Sequence, residues 1–410
     1  MTTSPDAASK PPRHLSVFAP EGLCGRLQRD TDYLFTFGPD ATADHAPALT
    51  MPLRAKPYEQ STLHPIFHMN LPEGFVLEQL RNRLAKTSGL DPLLLLSVIG
   101  SQAPIGRLRY VLDGQEDLPP RRAGDGERLA DLLAARGTRE LFARLVDDYV
   151  MRSGVSGVQP KVLVPERSSM EPEYKAAIPT SDLIVKSGLN EFPGLSINEF
   201  VCMTAVKRAG VPVPEFFLSD DGELFIMRRF DRPPGGQVLG FEDILSLTGS
   251  LPDQKYRGSY ELIRRVLHLF CSPHRAKEAT KQLFDMVVLS CILGNGDAHL
   301  KNFGVLYDRI SGEVGMAPAY DIVCTRVYIR EDNLALNLDG NKSFFASRLG
   351  LLEFGRSCDM TRAQIDARII ELAKIVLKTL DDLAPWVAKV EGLREIVEIE
   401  ARRFLETFER

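Results

Sequence analysis

Between Lys281 and Leu293 almost every helical face beyond the first turn is apolar, through Met286-Val287-Val288-Leu289 to Cys291-Ile292-Leu293. A helix with no polar face is buried, so the chain that leaves it starts from a fixed place in a core. That chain reads Gly294-Asn295-Gly296-Asp297-Ala298-His299-Leu300-Lys301-Asn302, with Ala319-Tyr320-Asp321 about twenty residues on. The glycines permit a sharp turn, and Asp297 is then held beside the core. An acid, an amide five positions later and a second acid downstream suit Mg²⁺-dependent phosphoryl transfer. One acid accepts the proton of an attacking hydroxyl, while the amide and the later acid hold metal against the triphosphate. Strands at Phe303 to Tyr307 and Val314 to Ala317, joined by a turn at Ser311-Gly312, are predicted to return Asp321 towards Asp297. The competing reading makes Asp297, Asn302 and Asp321 loop caps and turn residues, where Asp and Asn are favoured. Their order, spacing and flanking structure favour the chemical one. Lys301 is placed to neutralise charge developing on a transferred phosphoryl group. His299 fits either a core histidine or a phosphate contact.

Upstream, Ser153-Gly154-Val155-Ser156-Gly157-Val158-Gln159-Pro160-Lys161 leads into an apolar strand. Its glycines allow close backbone approach, so amide hydrogens can converge on phosphate oxygens. It lacks both the G-K-[ST] close of a Walker loop and G-x-G-x-x-G spacing; alone it is a turn, and its place before the strands that deliver Lys186 gives it the phosphate reading. Lys186 closes Leu183-Ile184-Val185-Lys186, and Glu199 follows thirteen residues on, near the start of a helix predicted at Ser196 to Ala209. A strand lysine on the α- and β-phosphates paired with a helix glutamate is a kinase arrangement. The plainer alternatives are a solvated edge charge for Lys186 and a capping-box partner of Ser196 for Glu199.

The chain of 410 residues, 44% hydrophobic and 26% charged, has room for two or three domains. A formal charge of −5 and a pI of about 5.9 announce no nucleic-acid-binding surface. The six cysteines (Cys24, Cys202, Cys271, Cys291, Cys324, Cys358) are scattered and read as reduced, buried thiols. The longest apolar runs, Leu93 to Ile99 and Met286 to Leu293, are too short for a bilayer, and residues 1–13 lack a signal-peptide pattern. The expectation is a soluble, cytoplasmic protein without membrane contact. Residues 1–13 read as a disordered lead-in. Residues 14–112 combine short strands (Leu15 to Phe18, Tyr33 to Phe37) with helices at Phe75 to Thr87 and at Asp91 to Val98, the latter capped by Asp91 with Pro92 first. Residues 113–150 form a linker followed by helix. In 151–235, strands at Lys161 to Val164, Asp182 to Lys186, Glu215 to Leu218 and Leu224 to Met227 surround one helix, and 236–410 is largely helical, ending in amphipathic stretches at Thr361 to Leu380 and Pro385 to Phe408. A nucleotide belongs in the cleft between those two halves. His64 and His68 are spaced like helical metal ligands, but Pro65 and the extended look of Leu63 to His68 argue against such a site.

Taken in order, these residues resemble the HipA-like bacterial serine/threonine kinases, toxins of HipBA-type toxin–antitoxin systems. The resemblance covers nearly the whole chain: Met51-Pro52-Leu53, Asn70-Leu71-Pro72-Glu73-Gly74, Gly157 to Lys161, Val185-Lys186, Asn198-Glu199, Arg229-Phe230-Asp231-Arg232, Glu242-Asp243 to Lys255-Tyr256, Asp297 to Asn302 and Tyr320-Asp321-Ile322. It implies an α+β, two-lobed protein-kinase-like fold, with a small β-rich N-lobe and an all-helical C-lobe, preceded by an N-terminal α/β subdomain. It further implies ATP and Mg²⁺ as cofactors, Asp297 as general base, and Asn302 with Asp321 as metal ligands. Lys186 would contact phosphate, and Ser156 to Lys161, including Gly157, Val158, Gln159 and Pro160, would cover the triphosphate. Arg228, Arg229 and Phe230 would form the hinge near adenine, with His299 and Tyr320 also lining the nucleotide. A HipB-like helix-turn-helix antitoxin, operator DNA reached only through it, and a protein substrate such as an aminoacyl-tRNA synthetase complete the implied partners, and the implied outcome is dormancy. Two positions depart from the family: some members have glutamate where this chain has Arg228, and the family's autophosphorylated loop serine falls on Gly154. Ser156, then Ser153, is the expected acceptor, its phosphate favouring loop release by repulsion. A small-molecule phosphotransferase and a catalytically silent kinase-fold module bridging antitoxin and DNA are the alternatives.

Overall fold

Short apolar segments punctuated by Gly and Asp turns give the first hundred residues an antiparallel sheet. In the computed structural model, which describes residues 12–84, 91–100, 104–114, 126–135, 138–149, 159–166, 182–188, 192–233 and 237–409, strands β1 (His14–Ala19), β2 (Gly22–Arg29), β3 (Tyr33–Phe37) and β4 (Tyr58–Gln60) follow one another as neighbours. Three helices come next: α1 (Pro65–His68), α2 (Gly74–Leu84) and α3 (Pro92–Gly100). Strand β5 (Arg109–Val111) then returns beside β1, giving the order β4-β3-β2-β1-β5. Leu15, Val17, Leu27 and Phe35 are buried with Val76 and Leu80 of α2 and Leu93 and Leu96 of α3. Asp91 caps α3 as expected, accepting the amides of Leu93 and Leu94 at 2.9 and 3.2 Å. The stretch around His64 is not extended. Pro65 opens the turn α1, a position where its missing N–H costs nothing, and His64 accepts the Ile66 amide.

After α4 (Leu129–Ala134) and α5 (Thr138–Tyr149), a second sheet forms from β6 (Lys161–Pro165), β7 (Asp182–Ser187), β8 (Phe216–Leu218) and β9 (Leu224–Arg228), in the order β6-β7-β9-β8. Helix α6 (Leu195–Arg208) lies between β7 and β8 in the chain. This helix starts one residue earlier than expected, after Gly194 in the left-handed region (φ 69°). Ser196 therefore lies inside the helix and donates to the Glu223 carbonyl at 2.8 Å, so the capping box with Glu199 does not form. The sheet is a wall shared by two cores. Val162, Val164, Leu183, Val185, Leu224 and Ile226 are buried with Phe142 and Leu145 of α5 and the N-terminal unit. Phe225 and Met227 are buried with Val201 and Val206 of α6 and the helices that follow.

The last part holds β10 (Gly240–Asp243), α7 (Ile244–Leu247), α8 (Tyr260–Phe270), α9 (Pro273–Leu293), β11 (Gly304–Tyr307) and β12 (Val314–Met316). It closes with α10 (Ser347–Ser357), α11 (Arg362–Asp382), α12 (Ala384–Val387) and α13 (Leu393–Phe408). This half is not purely helical, because β10, β11 and β12 pair into a three-stranded antiparallel sheet. The amphipathic pattern expected from Pro385 is interrupted at Gly392, whose φ of 78° separates α12 from α13. Every residue of α9 from Gln282 to Leu293 is buried, and Gly294 (φ 70°) ends the helix. All six cysteines are free and buried. No helix among the described residues is long and apolar enough to cross a membrane.

The N-terminal unit touches the rest at several polar points. Asp44 accepts the Ser311 amide and hydroxyl at 2.8 and 3.0 Å. The buried Glu242 accepts the Leu49 amide at 2.8 Å and the Tyr307 hydroxyl at 2.6 Å. In Arg229-Phe230-Asp231-Arg232, Asp231 accepts the Gly106 amide at 2.8 Å, while Arg229 and Arg232 donate to the Pro104 carbonyl at 2.6 and 2.8 Å.

Candidate active site

Register fixes the first part of the site. Lys161 of β6 stands opposite Lys186 of β7, and both side chains are buried. Two like charges facing each other across a strand pair are unfavourable unless anions answer them. Glu199, fully buried on α6, takes Lys186 Nζ at 2.5 Å, and Asp321 Oδ1 takes the same nitrogen at 2.5 Å. The second oxygen of Asp321 lies 3.9 Å from Lys161 Nζ. Burial alone would lift the Asp321 pKa, but Lys161 and Lys186 outweigh it and hold the carboxyl well below the usual carboxylate range. Burial likewise works against the Lys186 ammonium, and Asp321 with Glu199 reverses the effect, so this lysine stays charged. Asp321 adopts φ 61°, the left-handed region that Asp tolerates better than most side chains.

The second part comes off the end of α9. A side chain at position 296 would collide with Asp332 and the Asn333 carbonyl, so glycine is needed where the loop passes them. Asp297 Oδ1 accepts the Tyr256 hydroxyl at 2.6 Å and lies 3.9 Å from His299 Nε2. Its side chain is about half exposed (48%), yet the cleft walls desolvate it enough to raise its pKa, against the lowering effect of the Tyr256 hydrogen bond. His299 is buried, and that burial, with Lys255 adding to it, brings its pKa down to about 3. The ring is neutral, packs edge-on to Tyr256 with centroids 5.1 Å apart, and has a buried Nδ1 without a hydrogen-bond partner. Asn302 accepts the His299 amide at 3.1 Å, which sets the direction of its carboxamide. Tyr320 donates to the Lys301 carbonyl at 2.6 Å, and its ring meets those of Phe230 and Phe241. Lys301 itself reaches Glu73 of the N-terminal unit at 2.9 Å.

These parts face one cavity of about 260 Å³. Of the residues expected in the site, Gln159, Lys161, Lys186, Arg229, Phe230, Asp297, His299, Lys301, Asn302, Tyr320 and Asp321 line it, and Glu199 sits beneath on Lys186. Ser153, Ser156, Gly157 and Val158 lie outside the described residues. Pro160 is not among the lining residues. Arg228 does not face the cavity either. Its guanidinium is turned to Glu166 and Glu215, so the expected hinge contact from that side chain is not made. Arg229 lines the cleft, but its head is held by Asp231 at 2.5 and 2.9 Å. Sequence reasoning gave no individual role to Glu73, Asp243, Lys255 or Tyr256, the first three of which line the cleft. Asp243 had a readable local signal as the cap of α7, accepting the Ser246 amide at 2.7 Å; the others act across long sequence separations.

The oxygen donors fit a hard cation. Asp321 is held ionised, and Asn302 offers a fixed carboxamide. Among the described residues no group of three or more His, Cys, Asp or Glu side chains is arranged to hold a metal alone. Mg²⁺ generally binds through one or two carboxylates together with substrate phosphates.

A small sheet with one buried lysine–glutamate pair, set over a larger and mostly helical half, is a kinase-like α+β fold. The HipA N-terminal domain matches residues 15–111 and the HipA-like C-terminal domain matches residues 153–380; the chain belongs to the HipA-like family. It is 32% identical over 318 residues to a Sinorhizobium fredii protein named "Putative kinase Y4dM", covering 71% of this chain and 69% of that one. A Haemophilus influenzae protein named "Putative kinase" is 26% identical, with 57% and 75% covered. One chain of the Shewanella oneidensis complex of HipA, HipB and operator DNA shares the fold at a TM-score of 0.70 and 20% identity, covering 96% of this chain and 97% of that one.

Proposed function

We propose that this chain is an ATP- and Mg²⁺-dependent protein serine/threonine kinase, the cytoplasmic toxin of a HipBA-type pair. The observation that carries the reading is Lys186 Nζ bridging Glu199 and Asp321 in the cleft that also holds Asp297 and Asn302. Lys186 and Lys161 bind phosphate oxygens. Asp297 orients the attacking hydroxyl and accepts its proton, a task helped by a raised carboxyl pKa. Asn302 and Asp321 would hold Mg²⁺, which supplies neutralisation of the β- and γ-phosphate oxygens when bound. Lys301 faces charge on the transferred group. Phe230, Phe241 and Tyr320 make an apolar wall suited to a base. Ser156 and Ser153 are the proposed autophosphorylation sites. A translation component such as an aminoacyl-tRNA synthetase is the proposed substrate. A HipB-like antitoxin is the proposed partner, supported by the Shewanella complex. A formal charge of −5 directs any operator contact through that partner.

The test incubates the purified chain with γ-labelled ATP, Mg²⁺ and host lysate. Label on serine or threonine of a protein supports the reading; label on a metabolite replaces it with a small-molecule phosphotransferase, and none at all leaves a silent module. Mass spectrometry of the same mixture reports whether Ser156 or Ser153 is modified. Asp297→Gln should remain folded and bind ATP while transfer falls by about a thousandfold.

A further inference from the structure

We propose that Glu73 is a positioning residue for phosphoryl transfer: the N-terminal unit reaches into the catalytic cleft and fixes the ammonium of Lys301. The inference rests on the kinase reading. Glu73 directly precedes α2, and its carboxylate meets a lysine 228 positions away at 2.9 Å. Both residues line the cavity, and the Lys301 side chain is 8% exposed against 23% for Glu73.

The backbone around Lys301 is already pinned. The Leu300 amide donates to the Lys255 carbonyl, the Asn302 amide to the His299 carbonyl, and the Tyr320 hydroxyl to the carbonyl of Lys301 itself. What backbone pinning does not settle is the course of the four-carbon stem. A lysine is a compact charge on a flexible chain; the buried Asp243 also attracts it, and Glu73 is the carboxylate from the N-terminal unit that pairs with it directly. An ammonium carries several protons, so pairing with Glu73 is compatible with donation to phosphoryl oxygens. Docking of the N-terminal unit does not depend on this pair, because Asp231–Gly106, Glu242–Leu49 and Asp44–Ser311 hold it elsewhere. The Glu73–Lys301 contact is the one of these with both partners on the cavity wall.

The experiment measures steady-state transfer by the full chain and by Glu73→Gln, Glu73→Asp, Lys301→Met and the Glu73→Gln/Lys301→Met double variant, with thermal midpoints recorded alongside. Loss of positioning predicts that kcat for Glu73→Gln falls about tenfold to a hundredfold. The KM for ATP should stay within about twofold, and Glu73→Asp should recover part of the loss. The double variant should be no slower than Lys301→Met, because Glu73 acts only through that lysine. Three results each overturn the proposal: wild-type kcat in Glu73→Gln, a loss expressed in KM alone, or losses that multiply in the double variant. An active wild-type chain with an indifferent Glu73→Gln sinks this inference alone; a wild-type chain that transfers no phosphate sinks the kinase reading with it.

Discussion

Replacing Glu242 with glutamine should flatten the pH dependence of stability between about pH 4.5 and 7. The Glu242 carboxyl is fully buried, with one oxygen accepting from Leu49 and Tyr307 and the other lacking a partner. Burial pushes its pKa from 4.5 up to about 7, against the smaller lowering effects of the Tyr307 and Leu49 hydrogen bonds. In the unfolded chain the group returns to its ordinary value. Between the two pKa values the folded state therefore binds more protons than the unfolded state, and stability falls as pH rises. The contribution is fully present below about pH 4.5 and lost once pH passes about 7. A carboxyl raised this far corresponds to about 3 kcal/mol, at about 1.4 kcal/mol for each tenfold change in proton affinity. Glutamine keeps the acceptor for Leu49 and Tyr307 but leaves a buried amide nitrogen, which costs about 1–3 kcal/mol at every pH. The signature is therefore the slope and not the absolute value. Denaturant unfolding of both proteins from pH 5 to 8, with hydrogen exchange at the Leu49 amide reporting on the seam itself, measures it. Parallel pH curves for wild type and Glu242→Gln would refute the reasoning.

Two further substitutions test the charged seams. Asp231→Ala strips the buried Arg229 of its carboxylate and the Gly106 amide of its acceptor, and should cost about 3–5 kcal/mol in denaturant unfolding; a change below about 1 kcal/mol would show that the clasp is idle. Lys186→Met leaves Glu199 buried without its ammonium. It should destabilise by a similar 3–5 kcal/mol or so and slow transfer by about a hundredfold or more. Adding Glu199→Gln should restore stability but not activity, and recovery of both would show that the lysine has no chemical role.

Those parts of the site that depend on neighbouring residues are legible in the amino-acid order itself. The apolar faces of α9 and the glycines after it place Asp297 at the edge of a core, because periodicity and turn chemistry act over a few residues. Lys186, Asp297, Asn302 and Asp321, singled out by order and spacing, line one cavity, with Glu199 paired to Lys186. Ser196 followed by Glu199 matches a capping pattern, but Gly194 starts the helix earlier and the glutamate goes to Lys186. The Arg228 side chain turns away from the cavity because a strand residue alternates faces, and its face meets Glu166 and Glu215, while Arg229 and Phe230 of the same expected segment line it. The Tyr256 hydroxyl on Asp297 and Glu73 on Lys301 join residues 41 and 228 positions apart. No window of sequence contains both partners, so only the fold reveals them.

The seating of the N-terminal unit has a mechanical consequence. It shares packed side chains with the small sheet and, through Asp44, Leu49 and Glu73, is tied to the opposite half. It bridges the two halves and lends Met69, Glu73 and Ile105 to the cavity wall. Swinging the two halves apart would therefore have to break the contacts of this unit with at least one of them.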